Sequence, residues 1–210
     1  MDFFTSNRYL YMSTLKQCMY INMSINNKKD FRCDEQSKLD FTNSTKQYIS
    51  THYPQWVVSF YGVDKNGDAV PMADSFEQSH LDLYIKCTNK NSGTNVTYAA
   101  ELKERWKPYT STSYGGEGQE GWIYNIEKDG WLNDAAKKGF TPLYVNLYED
   151  GVIRVWNINK IDSENLPVVE KEIHKYTVKQ SPKIKQTRYT LANAQAVAEY
   201  PRITYSQNVC

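Results

Sequence analysis

The most constraining feature is a pair of alternating stretches joined by a tight turn. In His80-Leu81-Asp82-Leu83-Tyr84-Ile85-Lys86-Cys87, apolar Leu81, Leu83, Ile85 and Cys87 alternate with His80, Asp82, Tyr84 and Lys86. That is the period of a strand with one apolar face. Asn91-Ser92-Gly93 supplies turn chemistry, and a second strand is expected from Val96 to Lys103. Tyr98, Ala100 and Leu102 share one of its faces, and Ala99, Glu101 and Lys103 the other. A turn centred on Asn91-Ser92 sets Asp82 across from Glu101. A turn one residue later sets it across from Lys103. In either register Asp82, Glu101 and Lys103 share the polar face of a hairpin. Directly opposed side chains have Cβ atoms about 4.5–5.5 Å apart.

Around this hairpin the pattern gives a helix over Asn43–His52, stopped by Pro54, and an aromatic, β-branched strand over Trp56–Tyr61. A helix is expected over roughly Glu120–Lys138, ended by Gly139. Two strands follow, Pro142–Tyr148 and Val152–Ile158, joined by Glu149-Asp150-Gly151. The order α-β-β-β-α-β-β indicates an α/β (α+β) domain with a mixed β-sheet flanked by helices. We read residues 1–38 as an N-terminal extension, 39–165 as the core and 166–210 as a basic C-terminal extension. From residue 171 onward there are seven Lys or Arg against two Glu, although the whole chain carries only +1. Any nucleic-acid-binding surface must therefore be local.

Several function classes are excluded. The four cysteines (Cys18, Cys33, Cys87, Cys210) are scattered with no C-x-x-C pair, which argues against zinc and for reduced thiols in a cytoplasmic protein. Neither a signal peptide nor a run of ~18 apolar residues is present, so no membrane partner is expected. The Asp64–Asp68 turn has Asp, Asn and Asp at alternate positions like a calcium loop, but lacks the glycine at the sixth position and the glutamate at the twelfth. P-loop, G-x-S-x-G and H-E-x-x-H motifs are absent.

The chemistry open to the hairpin is that of an oxygen-ligand metal site. Two close carboxylates repel unless a cation lies between them, and one or two carboxylates suit Mg²⁺ or Mn²⁺. The Leu102 carbonyl offers a further ligand. Such an ion activates water and polarises a phosphoryl oxygen. Arg105 continues the Glu101/Lys103 face and is a candidate phosphate contact, with Lys107 and Tyr109 beyond it. On a helical wheel Tyr124, Lys128, Trp131, Leu132 and Ala135 share one face, which places Lys128 within an apolar stripe. The alternative is an ordinary cross-strand charge pattern on a solvent-facing sheet surface.

His80-Leu81-Asp82 and Glu101-Leu102-Lys103, in this order of elements, resemble the PD-(D/E)xK nuclease superfamily over about residues 42–158. No proline precedes the aspartate, which is a departure from the pattern. The resemblance implies a restriction-endonuclease-like core: a helix, a three-stranded meander, a helix and a further strand. It implies Asp82 and Glu101 as metal ligands, Lys103 activating the attacking water, and a polar residue such as Lys128 on the second helix beside the site. DNA is then the expected partner and a homodimer the expected state for duplex cutting. Asp74 is the alternative to Asp82. Glu35 and Asp40 are candidates for the acid that such proteins often carry on the first helix. The Asn-, Lys- and Tyr-rich composition fits a phage gene. Two other readings stand beside this one: a non-catalytic DNA-binding or structural protein on the same fold, and a sheet-based interaction protein.

Overall fold

A computed structural model describes residues 32–63, 69–70, 81–105, 122–161, 168–174, 183–191 and 195–204. Its elements are helix α1 (Arg32–His52), strands β1 (Trp56–Val63), β2 (Ala69–Val70), β3 (Leu83–Asn89), β4 (Asn95–Arg105) and β5 (Trp122–Asn125), and helix α2 (Ile126–Lys137). Strands β6 (Thr141–Tyr148), β7 (Val152–Asn157), β8 (Val168–His174), β9 (Lys183–Leu191) and β10 (Ala198–Pro201) follow, with a 3-10 turn at Ile158–Lys160.

The main sheet runs β10-β7-β6-β4-β3-β1, extended at one edge by the two-residue β2. β1, β3 and β4 form an antiparallel meander, β6 lies parallel to β4, and β7 returns antiparallel. The parallel pair needs a crossover, which α2 provides. The architecture is α+β with a mixed sheet. β5, β9 and β8 form a second, three-stranded sheet.

The sheet is covered on both faces. On one, α1 contributes Phe41 and Ile49 to a core with Leu83, Ile85, Tyr98, Ala100, Val145 and Val155. On the other, α2 contributes Leu132 and Ala135 to a cluster with Tyr84, Ala99, Tyr144, Trp156 and Leu191. The strand face expected to be polar and solvated is thus largely buried as well. Tyr84, for instance, stacks on Phe140 at 4.5 Å.

The β3–β4 register follows the Asn91-Ser92 turn, pairing Leu83 with Ala100. The Asn89 side-chain carbonyl accepts the N–H groups of Asn91 (2.9 Å) and Ser92 (3.1 Å), and Gly93 supplies the positive φ of 69°. An Asx turn closed by glycine fixes where the hairpin reverses, and so which residues face each other.

Two boundaries differ from the sequence expectation. α1 starts at Arg32, eleven residues before Asn43, because its buried stripe is partly polar. Ser37 donates to Glu104 (2.6 Å), Asp40 pairs with Arg202 (2.8 Å), Ser44 accepts the Ile203 N–H (2.8 Å), and Thr45 bonds the Tyr200 hydroxyl (2.8 Å). Residues that look like caps are instead satisfied across the interface. Residues 122–125, expected as the first turn of the second helix, form β5, whose partner β9 lies more than sixty residues downstream. Their aromatic and β-branched side chains suit a strand once that partner exists. The helix does end as expected at Gly139, with φ 90° and the Phe140 N–H bonded to the Ala135 carbonyl. β9 and β10, both from the segment read as a C-terminal extension, hydrogen-bond to β5 and β7.

Candidate active site

β4 carries most of the candidate residues. Ala99 lies in the α2-side cluster, so Glu101, Lys103 and Arg105 project to that same side by strand alternation. The register places Asp82, just before β3, opposite Glu101, with its N–H donating to the Ala100 carbonyl at 3.1 Å. Asp82 Oδ2 accepts the Leu102 N–H at 2.6 Å. This short bond ties the aspartate to the backbone between Glu101 and Lys103.

Glu101 is buried at 1% exposure, and its Oε1 lies 2.7 Å from Lys103 Nζ. Lys103 keeps 38% of its side chain exposed, so the pair forms a rim between core and solvent. Burial alone would lower the Lys103 pKa. The Glu101 carboxylate, with Tyr144 and Asp82 further off, more than offsets this and holds the ammonium above the ordinary lysine range. Lys103 is therefore a fixed positive charge beside Glu101.

Across the sheet, register rows extend the site. Glu101 pairs with Tyr144 and then Trp156, and Lys103 with Asn146 and then Arg154. Arg105, 9% exposed, donates from Nε to Asn146 Oδ1 (2.9 Å) and from Nη2 to the Tyr144 hydroxyl (2.8 Å). Asn146 donates in turn to the Tyr148 hydroxyl at 3.3 Å. Sequence reading missed Tyr144 and Asn146. Within Thr141–Tyr148 they look like polar interruptions of a buried strand, and only the parallel pairing with β4 gives them neighbours.

The other candidates are distributed unevenly. Lys128 lies in α2, one turn before buried Leu132, on the helix that covers the Glu101 face. Lys107, Tyr109, Asp74 and His80 lie outside the described residues. Glu35 falls within α1, but Asp40 projects to the opposite face of the sheet. There it meets Arg202, which also binds Glu104. Asp40 does not complete a site with Asp82 and Glu101. Cys87 is buried in the α1-side core, where burial pushes its thiol up to about 12. This fits an inert, reduced cysteine.

For a divalent cation the donors are hard oxygens: the Asp82 and Glu101 carboxylates and the Leu102 carbonyl. Among the described residues no group of three or more His, Cys, Asp or Glu is brought together. Two carboxylates suffice for Mg²⁺ when substrate oxygens and waters complete its shell, so the donor set fits such an ion. Among the described residues no helix is long and apolar enough to cross a membrane. No family model, curated protein or solved structure matches the chain.

Proposed function

We propose that this chain is a metal-dependent nuclease of the PD-(D/E)xK class, hydrolysing DNA phosphodiesters. The observation that carries the reading is the buried Glu101, in contact with Lys103 and register-opposed to Asp82. A buried carboxylate is costly and needs a cation, which an ordinary solvated charge pattern does not require. The order of α1, the β1-β3-β4 meander, α2 and β6 supports the same reading, since a helix, a meander, a helix and a further strand is the order the resemblance leads one to expect.

Asp82, Glu101 and the Leu102 carbonyl would hold Mg²⁺ or Mn²⁺. The ion supplies Lewis acidity, drawing electron density from a phosphoryl oxygen and from the attacking water. Lys103, as an ammonium, orients that water and stabilises charge developing on the phosphate. Arg105 adds positive charge on the same face, and Lys107 and Tyr109, which lie outside the described residues, are the further candidate nucleic-acid contacts of the sequence reading. Lys128 is the candidate polar residue on α2. The basic C-terminal segment (Lys171, Lys175, Lys179, Lys183, Lys185 and Arg188 in sequence) would help hold the DNA backbone, giving salt-sensitive binding. Cutting both strands of a duplex calls for a second active site, hence a homodimer.

One observation favours a second reading, a non-catalytic DNA-binding scaffold. Asp82 bonds to the Leu102 N–H and Glu101 pairs with Lys103, so the cluster is satisfied by protein groups alone. Mn²⁺ titration by calorimetry separates the two. The nuclease reading predicts a site that is lost in Asp82→Ala while folding is retained. The scaffold reading predicts no Mn²⁺ uptake in either protein.

A further inference from the structure

β4 carries charge on both of its faces. Glu101, Lys103 and Arg105 project to the α2 side, whereas Ala100 and Leu102 lie in the α1-side core, so alternation sends Glu104 to the α1 side. There its carboxylate is held from two directions. Ser37 of α1 donates to Oε2 at 2.6 Å, and Arg202 Nη1 donates to Oε1. The residue between Lys103 and Arg105 is thus gripped from behind the sheet.

Arg202 is itself fixed before it reaches Glu104. Its Nε and Nη2 both lie against one Asp40 oxygen, at 2.9 and 2.8 Å, and only 11% of its side chain is exposed. A guanidinium held at two nitrogens has a set plane and direction. Its backbone N–H donates to the Gly151 carbonyl (2.8 Å), and the Ile203 N–H donates to Ser44 Oγ (2.8 Å). The β6–β7 turn that receives Arg202 also meets the end of β4, where the Glu149 N–H donates to the Arg105 carbonyl at 3.1 Å. Arg202 therefore joins α1, the β6–β7 turn and the stretch of β4 from which Lys103 projects to the other face.

We propose that Arg202 and Glu104 are positioning residues: through the β4 backbone they set where Lys103 stands relative to Asp82 and Glu101. This rests on the nuclease reading and deepens it, by assigning part of the site's accuracy to the C-terminal segment on the far side of the sheet. A reacting group displaced by about 1 Å costs on the order of 100-fold in rate, so a strand end that carries catalytic charge needs such an anchor. A purely structural ion pair would add stability wherever it sat, and its loss would have no selective effect on the end of β4.

The test compares Glu104→Gln with Asp40→Asn. The first removes the charge on β4 and leaves Arg202 its other carboxylate. The second weakens the hold of the same arginine on α1 without touching β4. Each is measured for Tm, for amide hydrogen exchange at residues 102–105, for plasmid nicking in Mn²⁺, and for duplex affinity in Ca²⁺ by anisotropy. We expect Glu104→Gln to speed exchange and slow nicking about tenfold each, with duplex affinity within about twofold of wild type. Asp40→Asn should lower Tm at least as much, with exchange at residues 102–105 and nicking within about twofold of wild type. Ser37→Ala removes the other grip on Glu104 and should shift exchange and nicking in the same direction by about threefold. It decides the matter if either charge variant does not fold. Exchange and nicking that match wild type in folded Glu104→Gln and Ser37→Ala, or that change no more than in Asp40→Asn, would overturn the proposal. A wild-type protein without nicking activity would sink the nuclease reading and the catalytic side of this inference, while exchange alone still decides whether the far-side pair holds the end of β4.

Discussion

Lys103 Nζ stands 2.7 Å from Glu101 Oε1, two residues apart on one strand, the carboxylate buried and the ammonium at the solvent edge. The lysine offsets part of the cost of burying the glutamate. A metal ion binding at Asp82 and Glu101 would share that task. Removing the ammonium should therefore destabilise the metal-free protein and make it more responsive to metal. Lys103→Met is expected to cost about 1–2 kcal/mol, well below the cost for a fully buried pair because the lysine is partly exposed. Mn²⁺ should raise the Tm of this variant more than that of wild type. Equal metal-induced shifts in thermal melts would count against the shared role.

Asp82 separates structure from chemistry. Its Oδ2 accepts the Leu102 N–H at 2.6 Å, a bond that an asparagine carbonyl can also accept. Asp82→Asn should change stability by about 1 kcal/mol or less in urea titration. Nicking should fall at least about 100-fold, because a charged ligand is lost. Asp82→Ala loses the bond as well and should be the less stable of the two.

On the far face of the sheet, Arg202 joins fully buried Asp40 to Glu104. Truncating it strands a buried carboxylate. Arg202→Ala is expected to cost about 3–5 kcal/mol, and adding Asp40→Asn should recover part of that loss. Urea titrations of the two single variants and the double variant read the coupling directly.

Cys87 gives a pH dependence of known sign. Its thiol is raised from 9.0 to about 12 in the folded chain by burial, so unfolding lets it ionise at lower pH. The stability this contributes is complete below pH 9 and is lost as pH rises through the window up to about 12. Between pH 8 and 10.5, wild type should lose stability more steeply than Cys87→Ala. Parallel curves would show that the thiol is not coupled to folding.

Where the sequence was legible, local chemistry decided the structure. The turn at Asn91–Gly93 was legible in a few adjacent residues, but it left two registers open, and the Asn89 side-chain bonds and the Gly93 conformation decide for Asp82 opposite Glu101. Gly139 and Gly151 stopped a helix and turned a hairpin for the same reason. Long-range pairing was not legible. β5 needs β9 as its partner. Ser37, Asp40 and Thr45 of α1 need Glu104, Arg202 and Tyr200 as partners for their side chains.

The site shows the same division. Asp82, Glu101, Lys103 and Arg105 share a face that alternation alone could assign. Tyr144 and Asn146 enter through the parallel β4–β6 pairing, which no local pattern encodes. Burial was misjudged for a related reason. Strand alternation marked the Glu101 face as polar, whereas α2 covers that side, and only the packed structure shows Glu101 at 1% exposure.

The most direct measurement is conversion of supercoiled plasmid in Mg²⁺ or Mn²⁺ by wild type, Asp82→Asn and Lys103→Met, each verified as folded. The account predicts metal-dependent nicking by wild type, abolished by EDTA and by either substitution. Absence of cleavage of plasmid, single-stranded and branched DNA by the folded wild-type protein, or cleavage that persists undiminished in both variants, would contradict it.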